Sequence, residues 1–345
     1  MFRSKPDLWM TLALAGISIF GFLNILGIRP DLITNYSVFL VVGWIAYFFT
    51  SQLPLSLLEQ NYKLMYVFFI FLLVATFAFF DPIRGSHRWI DFGIFQFQVS
   101  EFFKPVFLIS IAAIFSSANK FTPRKILIVS ALFVVPFFLI LKQPDLGSAL
   151  LFLASWVCMF YFSGLSTRLV VRLAALGAMI IPFGWIFLRD YQKNRILGFL
   201  DPTLDPQGIT YNLNQAIISV GSGGLFGKGM GLGTQARFRF LPEFHTDFAF
   251  ASLTEQFGFL GAGLLLMLFA LVIYRLVMKV FNHPDSSFRY IFGIGVIVIL
   301  VSEVVVNVGM NMGLLPVTGI ALPFISYGGS SMLSTMIMLG LASRL

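Results

Sequence analysis

Charge is what this sequence has least of, with only 11% of its 345 residues being Asp, Glu, Lys or Arg. That is too few to cover a water-soluble body of 38.6 kDa. Soluble enzymes are thereby excluded, and so are disordered chains, which need high net charge and few apolar residues. Cysteine is almost missing: Cys158 stands alone, so there is no disulfide framework and no cysteine-based metal cluster. The histidines, His87, His245 and His283, are too dispersed for a metal-binding helix pair. Apolar residues, by contrast, are abundant. They make up 58% of the chain, 42 of them are Phe, and the mean hydropathy is +0.90. This is the composition of an all-α, polytopic membrane protein.

Apolar stretches of bilayer-spanning length fall near 7–28, 36–58, 63–80, 104–118, 124–141, 148–163, 168–188, 247–274, 288–312 and 318–343, about ten spans in a single membrane domain. An even number puts both termini on one side. The basic residues choose that side: twelve fall in the inner segments when the N-terminus is cytoplasmic, against five in the short outer loops. The pI near 9.7 therefore reads as membrane orientation and not as nucleic-acid binding. The first span is too long for a signal peptide and lacks a small-residue cleavage pattern, so it is expected to be retained.

Unusual polar residues gather on the outer face. The segment from Asp81 to Lys104 mixes Trp89 and several Phe with Arg88, Asp91 and Glu101, and reads as an interfacial element. The second outer segment, 189–246, carries a glycine-rich run from Gly221 to Gly233 and is too varied for a passive linker. No convincing inverted repeat of the secondary-transporter kind is present.

Asp247 opens an apolar helix, which admits two readings. It is a first-turn acid favoured by the helix dipole, or, with Glu255 eight residues on and on the same helical face, part of a polar site inside a span. Asp145, in the turn Gln143-Pro144-Asp145-Leu146-Gly147, is likewise a helix cap or a partner of Asp247 in holding a divalent cation. The run Gly221 to Gly229 fails the phosphate-loop pattern, because Ser222 stands where the first glycine belongs and Gly229 follows Lys228. What survives is close backbone packing, or anion contact through glycine amides with Lys228, Arg237 and Arg239 nearby. Glu303, Asn307 and Asn311 form a stripe on one helical face, lining a cavity or bonding to a neighbouring helix. Pro316, Gly319, Pro323, Gly328 and Gly329 imply that the last span is broken.

Together, Arg88-Trp89-Ile90-Asp91 with Ser100-Glu101 and Lys104, Gln143-Pro144-Asp145-Leu146-Gly147, Phe199-Leu200-Asp201-Pro202, Gly221-Ser222-Gly223-Gly224, Leu241-Pro242-Glu243-Phe244-His245-Thr246-Asp247-Phe248 and Pro323-Phe324-Ile325-Ser326-Tyr327-Gly328-Gly329-Ser330 resemble the SEDS family of bacterial cell-wall polymerases. Phe97-Gln98, Tyr211-Asn212 and Gly227-Lys228 with Gly233-Thr234-Gln235 look more like its elongation branch, RodA-like, than its division branch, FtsW-like. The resemblance implies a ten-span, inverting peptidoglycan glycosyltransferase that polymerises lipid II on the outer face of the bacterial cytoplasmic membrane. Asp247 matches the family's essential aspartate and would be the general base. Lys104, with Arg88 or Arg195, would neutralise the leaving pyrophosphate. Glu101, Asp145, Lys228 and Ser326 would help bind substrate, and His245, Thr246 and Glu255 would support the site. The resemblance further implies a divalent cation, Mg or Mn, on Asp247 and Asp145, no organic cofactor, and a class B penicillin-binding protein as partner in the membrane. Val99, Ile209-Thr210 and Glu255-Gln256 depart from the family pattern.

A lipid II flippase and a non-catalytic cell-wall scaffold are the competing readings. A passage should show ionisable residues from both faces, and here they cluster on one.

Overall fold

The computed structural model describes residues 6–80, 86–93, 96–116, 123–164, 167–168, 172, 175, 185, 190–201, 203, 205, 208, 210–282 and 287–345. Helix α1 (Leu8–Ile28) starts at Asp7, whose carboxylate caps the Met10 amide. At about 1.5 Å per residue its 21 residues cover roughly 31 Å, the thickness of a bilayer core. A 3-10 turn (Pro30–Leu32) leads into α2 (Ile33–Thr50), and α3 (Leu55–Phe79) follows. Two three-residue strands, β1 (Trp89–Asp91) and β2 (Gln96–Gln98), pair antiparallel in the segment expected to be interfacial. Among the described residues they are the only strands, and the other regular elements are helices.

Next come α4 (Val99–Ser116), α5 (Pro123–Lys142) and α6 (Leu146–Phe162). The expected span at 168–188 lies almost wholly outside the described residues. The 189–246 segment carries α7 (Asp190–Leu200), α8 (Tyr211–Ser222) and the short α9 (Thr234–Arg237), more helix than its polarity suggested. The chain ends with α10 (Ala249–Asn282), α11 (Ser287–Asn311) and α12 (Gly329–Ala342). Among the described residues seven helices are long and apolar enough to cross a membrane, and α6 and α12 are shorter apolar helices. The last span, read as 318–343, is helical only from Gly329, because the Pro- and Gly-rich stretch before it forms turns.

Helix α4 is the core. Nearly all its side chains are buried, and it packs among α3, α6, α11 and α12. Lipid-facing side chains lie on the perimeter, with Val41, Ile45 and Phe49 on α2, Phe68 and Phe71 on α3, and Leu127 and Phe138 on α5 all exposed. At the end of the bundle away from Asp247, Arg275 of α10 grips Asp7 at 2.6 Å and Lys279 donates to the Ser343 carbonyl at 2.5 Å.

The glycine-rich run has a structural purpose. Helix α10 is broken at Gly258, whose φ of 69° lies in the left-handed region. The loop inserts its own backbone into that break. Lys228 and Gly229 amides donate to the Glu255 and Gln256 carbonyls at 2.9 and 3.1 Å, and Phe259 and Leu260 amides donate to the Gly224 and Leu225 carbonyls at 2.9 and 3.1 Å. Four backbone groups at the break are thus satisfied by protein, as a membrane interior demands. A Cβ on Gly227 would collide with the Gln256 carbonyl. Gly227→Ala is therefore expected to cost about 2–4 kcal/mol of stability, read as a lowered unfolding temperature in detergent. Gly221→Ala is the matched control, since a Cβ there meets nothing within 4 Å. Equal stability of the two variants would refute this account of the loop.

Candidate active site

Asp247 stands in the turn that leads into α10. Three consecutive carbonyls of that turn are each held by a donor from the C-terminal elements. The Tyr327 amide donates to the His245 carbonyl at 2.7 Å, and the Ser326 hydroxyl donates to the Thr246 carbonyl at 2.7 Å. The side-chain amides of Asn307 and Asn311 donate to the Asp247 carbonyl at 3.2 and 3.1 Å. Asn311 also accepts from the Ala251 amide at 3.0 Å, satisfying an otherwise open donor of the first helical turn. Asn307 and Asn311 of the polar stripe on α11 are thus interhelical glue that fixes the backbone of Asp247, while Glu303 of the same stripe turns to Lys104.

Two cavities meet at that carboxylate. The first, about 480 Å³, is lined by Arg88, Asp145, Tyr191, Arg195, Asp247 and Thr318, among others. The second, about 420 Å³, is lined by Asn194, Arg195, Asp205, Asn212, Glu243 and Asp247, among others. Asp247 and Arg195 belong to both. Gly319, whose φ of 77° calls for glycine, lies beside both residues, since a Cβ there would make ordinary contact at 3.5 Å with Arg195 Nη1 and 3.6 Å with Asp247 Oδ2. The first cavity holds two guanidinium groups, a setting for a diphosphate. The second is lined by amides, hydroxyls and carboxylates suited to sugar hydroxyls.

Asp145 is the N-cap of α6. Its carboxylate accepts from the Ser148 amide at 3.0 Å, the Ser148 hydroxyl at 2.9 Å and Gln98 Nε2 at 3.0 Å, with Arg88 Nη1 3.7 Å away. It therefore orients Arg88 along the cavity wall. Arg195 rests on the Tyr191 ring, 5.7 Å from its centroid, and reaches the Val317 carbonyl at 3.4 Å. Tyr191 is tied in turn to the Pro144 carbonyl at 3.0 Å.

Other residues expected at the site lie elsewhere. Lys104 and Glu101 line neither cavity. Lys104 is buried within α4, bonded to Glu101 at 2.8 Å and Glu303 at 2.6 Å, because an ammonium inside the bundle needs carboxylate partners at close range. Lys228 is bound to Glu255 at 2.9 Å and to Thr234 at 3.0 Å. Glu255 faces the glycine-rich loop, where it also accepts from the Gln235 amide at 3.2 Å, so it does not share a face with Asp247 in the cavity. Ser326, His245 and Thr246 act through the backbone clamp, and Thr246 additionally donates to Glu243 at 2.7 Å.

Tyr191, Gln192, Thr318 and Gly319 in the first cavity, and Asn194, Asp205 and Glu243 in the second, were not anticipated as site residues. The signal for the first pair was present: Tyr191, Gln192 and Arg195 share a face of a polar helix at helical spacing, within a stretch read as a loop.

A family model described as FTSW_RODA_SPOVE, cell cycle protein, matches residues 11–345. The chain is 39% identical over 300 residues to peptidoglycan glycosyltransferase MrdB of Escherichia coli (strain K12), covering 86% of this chain and 80% of that protein. It is 35% identical over 305 residues to stage V sporulation protein E of Bacillus subtilis (strain 168), covering 86% and 81%. Among solved structures it resembles a chain of a peptidoglycan synthase complex that coordinates polymerization and crosslinking, with a TM-score of 0.84 and 30% identity, covering 99% of this chain and 98% of that one. It also resembles the rod shape determining protein RodA of Thermus thermophilus, with a TM-score of 0.73 and 28% identity, covering 98% and 95%.

Proposed function

The chain belongs to the FtsW, RodA and SpoVE family of cell cycle proteins, the SEDS polymerases, and from that premise we propose how it makes glycan strands. It is a peptidoglycan glycosyltransferase of the elongation type, an integral membrane enzyme that joins lipid II units. The observation that supports the mechanism is the position of one carboxylate, Asp247, between a cavity with two arginines and a cavity of sugar-binding character.

The donor's diphosphate occupies the first cavity against Arg88 and Arg195, and the acceptor sugar occupies the second. Asp247 takes the proton of the acceptor hydroxyl, the oxygen attacks the donor's anomeric carbon from the opposite face, and the bond to undecaprenyl diphosphate breaks. Configuration inverts. Charge grows on the leaving group as that bond lengthens, and the two guanidiniums stabilise it where it appears.

A resident metal is not built into this scheme. Asp145 is committed as a helix cap, and among the described residues no three His, Cys, Asp or Glu side chains converge on a metal site. Mg or Mn would enter as the counter-ion of the diphosphate, and no step passes through it. The Asp247 face is the outer face of the bacterial cytoplasmic membrane in this scheme, with both termini inside, and a class B penicillin-binding protein is the partner that crosslinks the product.

The test supplies labelled lipid II to the purified chain with its transpeptidase and resolves the products by length. Native protein is expected to make long strands, and Arg195→Ala to slow them about a hundredfold. Lipid II crossing the membrane without new glycosidic bonds would instead establish the flippase.

A further inference from the structure

A third cavity, about 230 Å³, lies at the end of α1 and shares no lining residue with the two that meet at Asp247. Its wall includes Arg29, Asp31, Arg237, Arg239 and Phe244. Arg29 and Asp31 form an ion pair at 2.6 Å, so three guanidiniums face one carboxylate and the cavity keeps a net positive charge. Arg237 and Arg239 are both exposed.

The depth of this cavity is set by α1, which ends at Ile28, roughly 31 Å from its start at Leu8. That length is one bilayer core, so the arginines stand at the membrane–water interface on the Asp247 face. Their neighbours are apolar and open. Phe238 is 61% exposed, Phe240 49%, Leu232 57% and Met230 48%. In the run Arg237-Phe238-Arg239-Phe240 cations alternate with rings, Phe238 and Phe240 lie 6.0 Å apart, and the Arg237 guanidinium sits 5.8 Å from the Phe238 centroid. A soluble anion would use the charges and leave the rings unexplained, and an apolar protein face would leave the charges unpaired. An anion that carries its own acyl chains uses both.

We propose that this cavity binds the headgroup phosphate of an anionic glycerophospholipid, whose chains run down over Leu232, Phe238 and Phe240. The site neighbours the catalytic turn, since Phe244 lines it while Glu243 and Asp247 line the acceptor cavity. It stands on the membrane reading of the chain alone and does not depend on the polymerase mechanism.

The experiment titrates the purified full chain in detergent with dioleoyl phosphatidylglycerol or dioleoyl phosphatidylcholine and counts retained lipid by native mass spectrometry. Phosphatidylglycerol is expected to be retained in preference to phosphatidylcholine. The double variant Arg237→Ala/Arg239→Ala should weaken it by about twenty-five-fold, roughly fivefold for each interfacial arginine. Asp31→Asn, an exposed change that releases Arg29, should strengthen it, and it decides the matter alone if the double variant does not fold. Equal retention of the two lipids, or no change in either variant, would overturn the proposal. Full displacement by millimolar inorganic phosphate would reassign the cavity to a soluble anion. Loss of transpeptidase association with unchanged phosphatidylglycerol retention would make this face a protein contact.

Discussion

Asp247→Asn is expected to lower glycan polymerisation by roughly 10²–10⁴-fold while leaving the protein folded. The magnitude is that of removing a general base whose proton transfer is coupled to attack. Retention of the fold follows from how the residue is held. Asn307 and Asn311 bind the Asp247 carbonyl, which the substitution keeps, and asparagine has nearly the shape of aspartate. Single-turnover assays with labelled lipid II give the rate, and thermal unfolding in detergent gives the fold control. Near-native strand synthesis by a folded Asp247→Asn protein would remove the general-base role. An unfolded variant would instead mean that the carboxylate stabilises the turn, and Asp247→Glu would then separate chemistry from architecture, since it restores an acid with displaced geometry.

Lys104→Met is expected to destabilise the protein by about 3–5 kcal/mol, the cost of leaving buried charge uncompensated. Lys104 is 3% exposed, Glu101 7% and Glu303 1%, and Glu303 has one carboxylate oxygen with no hydrogen-bond partner. Two acids share one ammonium, so removing the cation strands both. The combination of Lys104→Met with Glu101→Gln and Glu303→Gln should recover much of the loss, because an absent triad costs less than a broken one. Chemical denaturation in detergent reads both variants. The alternative role for this lysine, binding the leaving pyrophosphate, makes the opposite prediction: a stable Lys104→Met protein with slow polymerisation. That result would return Lys104 to the active site.

These experiments probe opposite kinds of polar residue in one membrane bundle. Asp247 is held through its backbone carbonyl and lines both cavities, whereas Lys104 is consumed by its partners. Lys228 belongs with Lys104, since its ammonium serves Glu255 and joins the glycine-rich loop to the broken helix. Arg88 and Arg195 belong with Asp247. Arginine suits that position because its fork stays charged while stacked on an aromatic ring, as Arg195 is on Tyr191.

Much of this protein was readable from its residues in order. Hydropathy is a local property that adds along the chain, so most of the helices α1 to α6, α10 and α11 fall close to the apolar stretches that announce them, although the stretch read as 36–58 runs past the end of α2 at Thr50 into α3, which begins at Leu55. The Pro- and Gly-rich tail announced the break before α12 for the same local reason. The motif order identified the family and put Asp247 forward as its candidate aspartate. Helix α7 was missed because it is polar, with no hydropathy signal to distinguish it from a loop, and α8 because its apolar residues form a run too short to span a bilayer. Which cations are spent in ion pairs and which line an open cavity was decided only by the fold. Lys104 meets Glu303 across 199 residues of sequence, and Arg88 and Arg195 reach one cavity from separate elements. Ser326 meets the Thr246 carbonyl across 80 residues. A motif records that a residue is needed. Its partner, and therefore its job, depends on distance and burial in three dimensions, where a charge buried beside its counter-ion is structural and the same charge in an open cavity binds substrate.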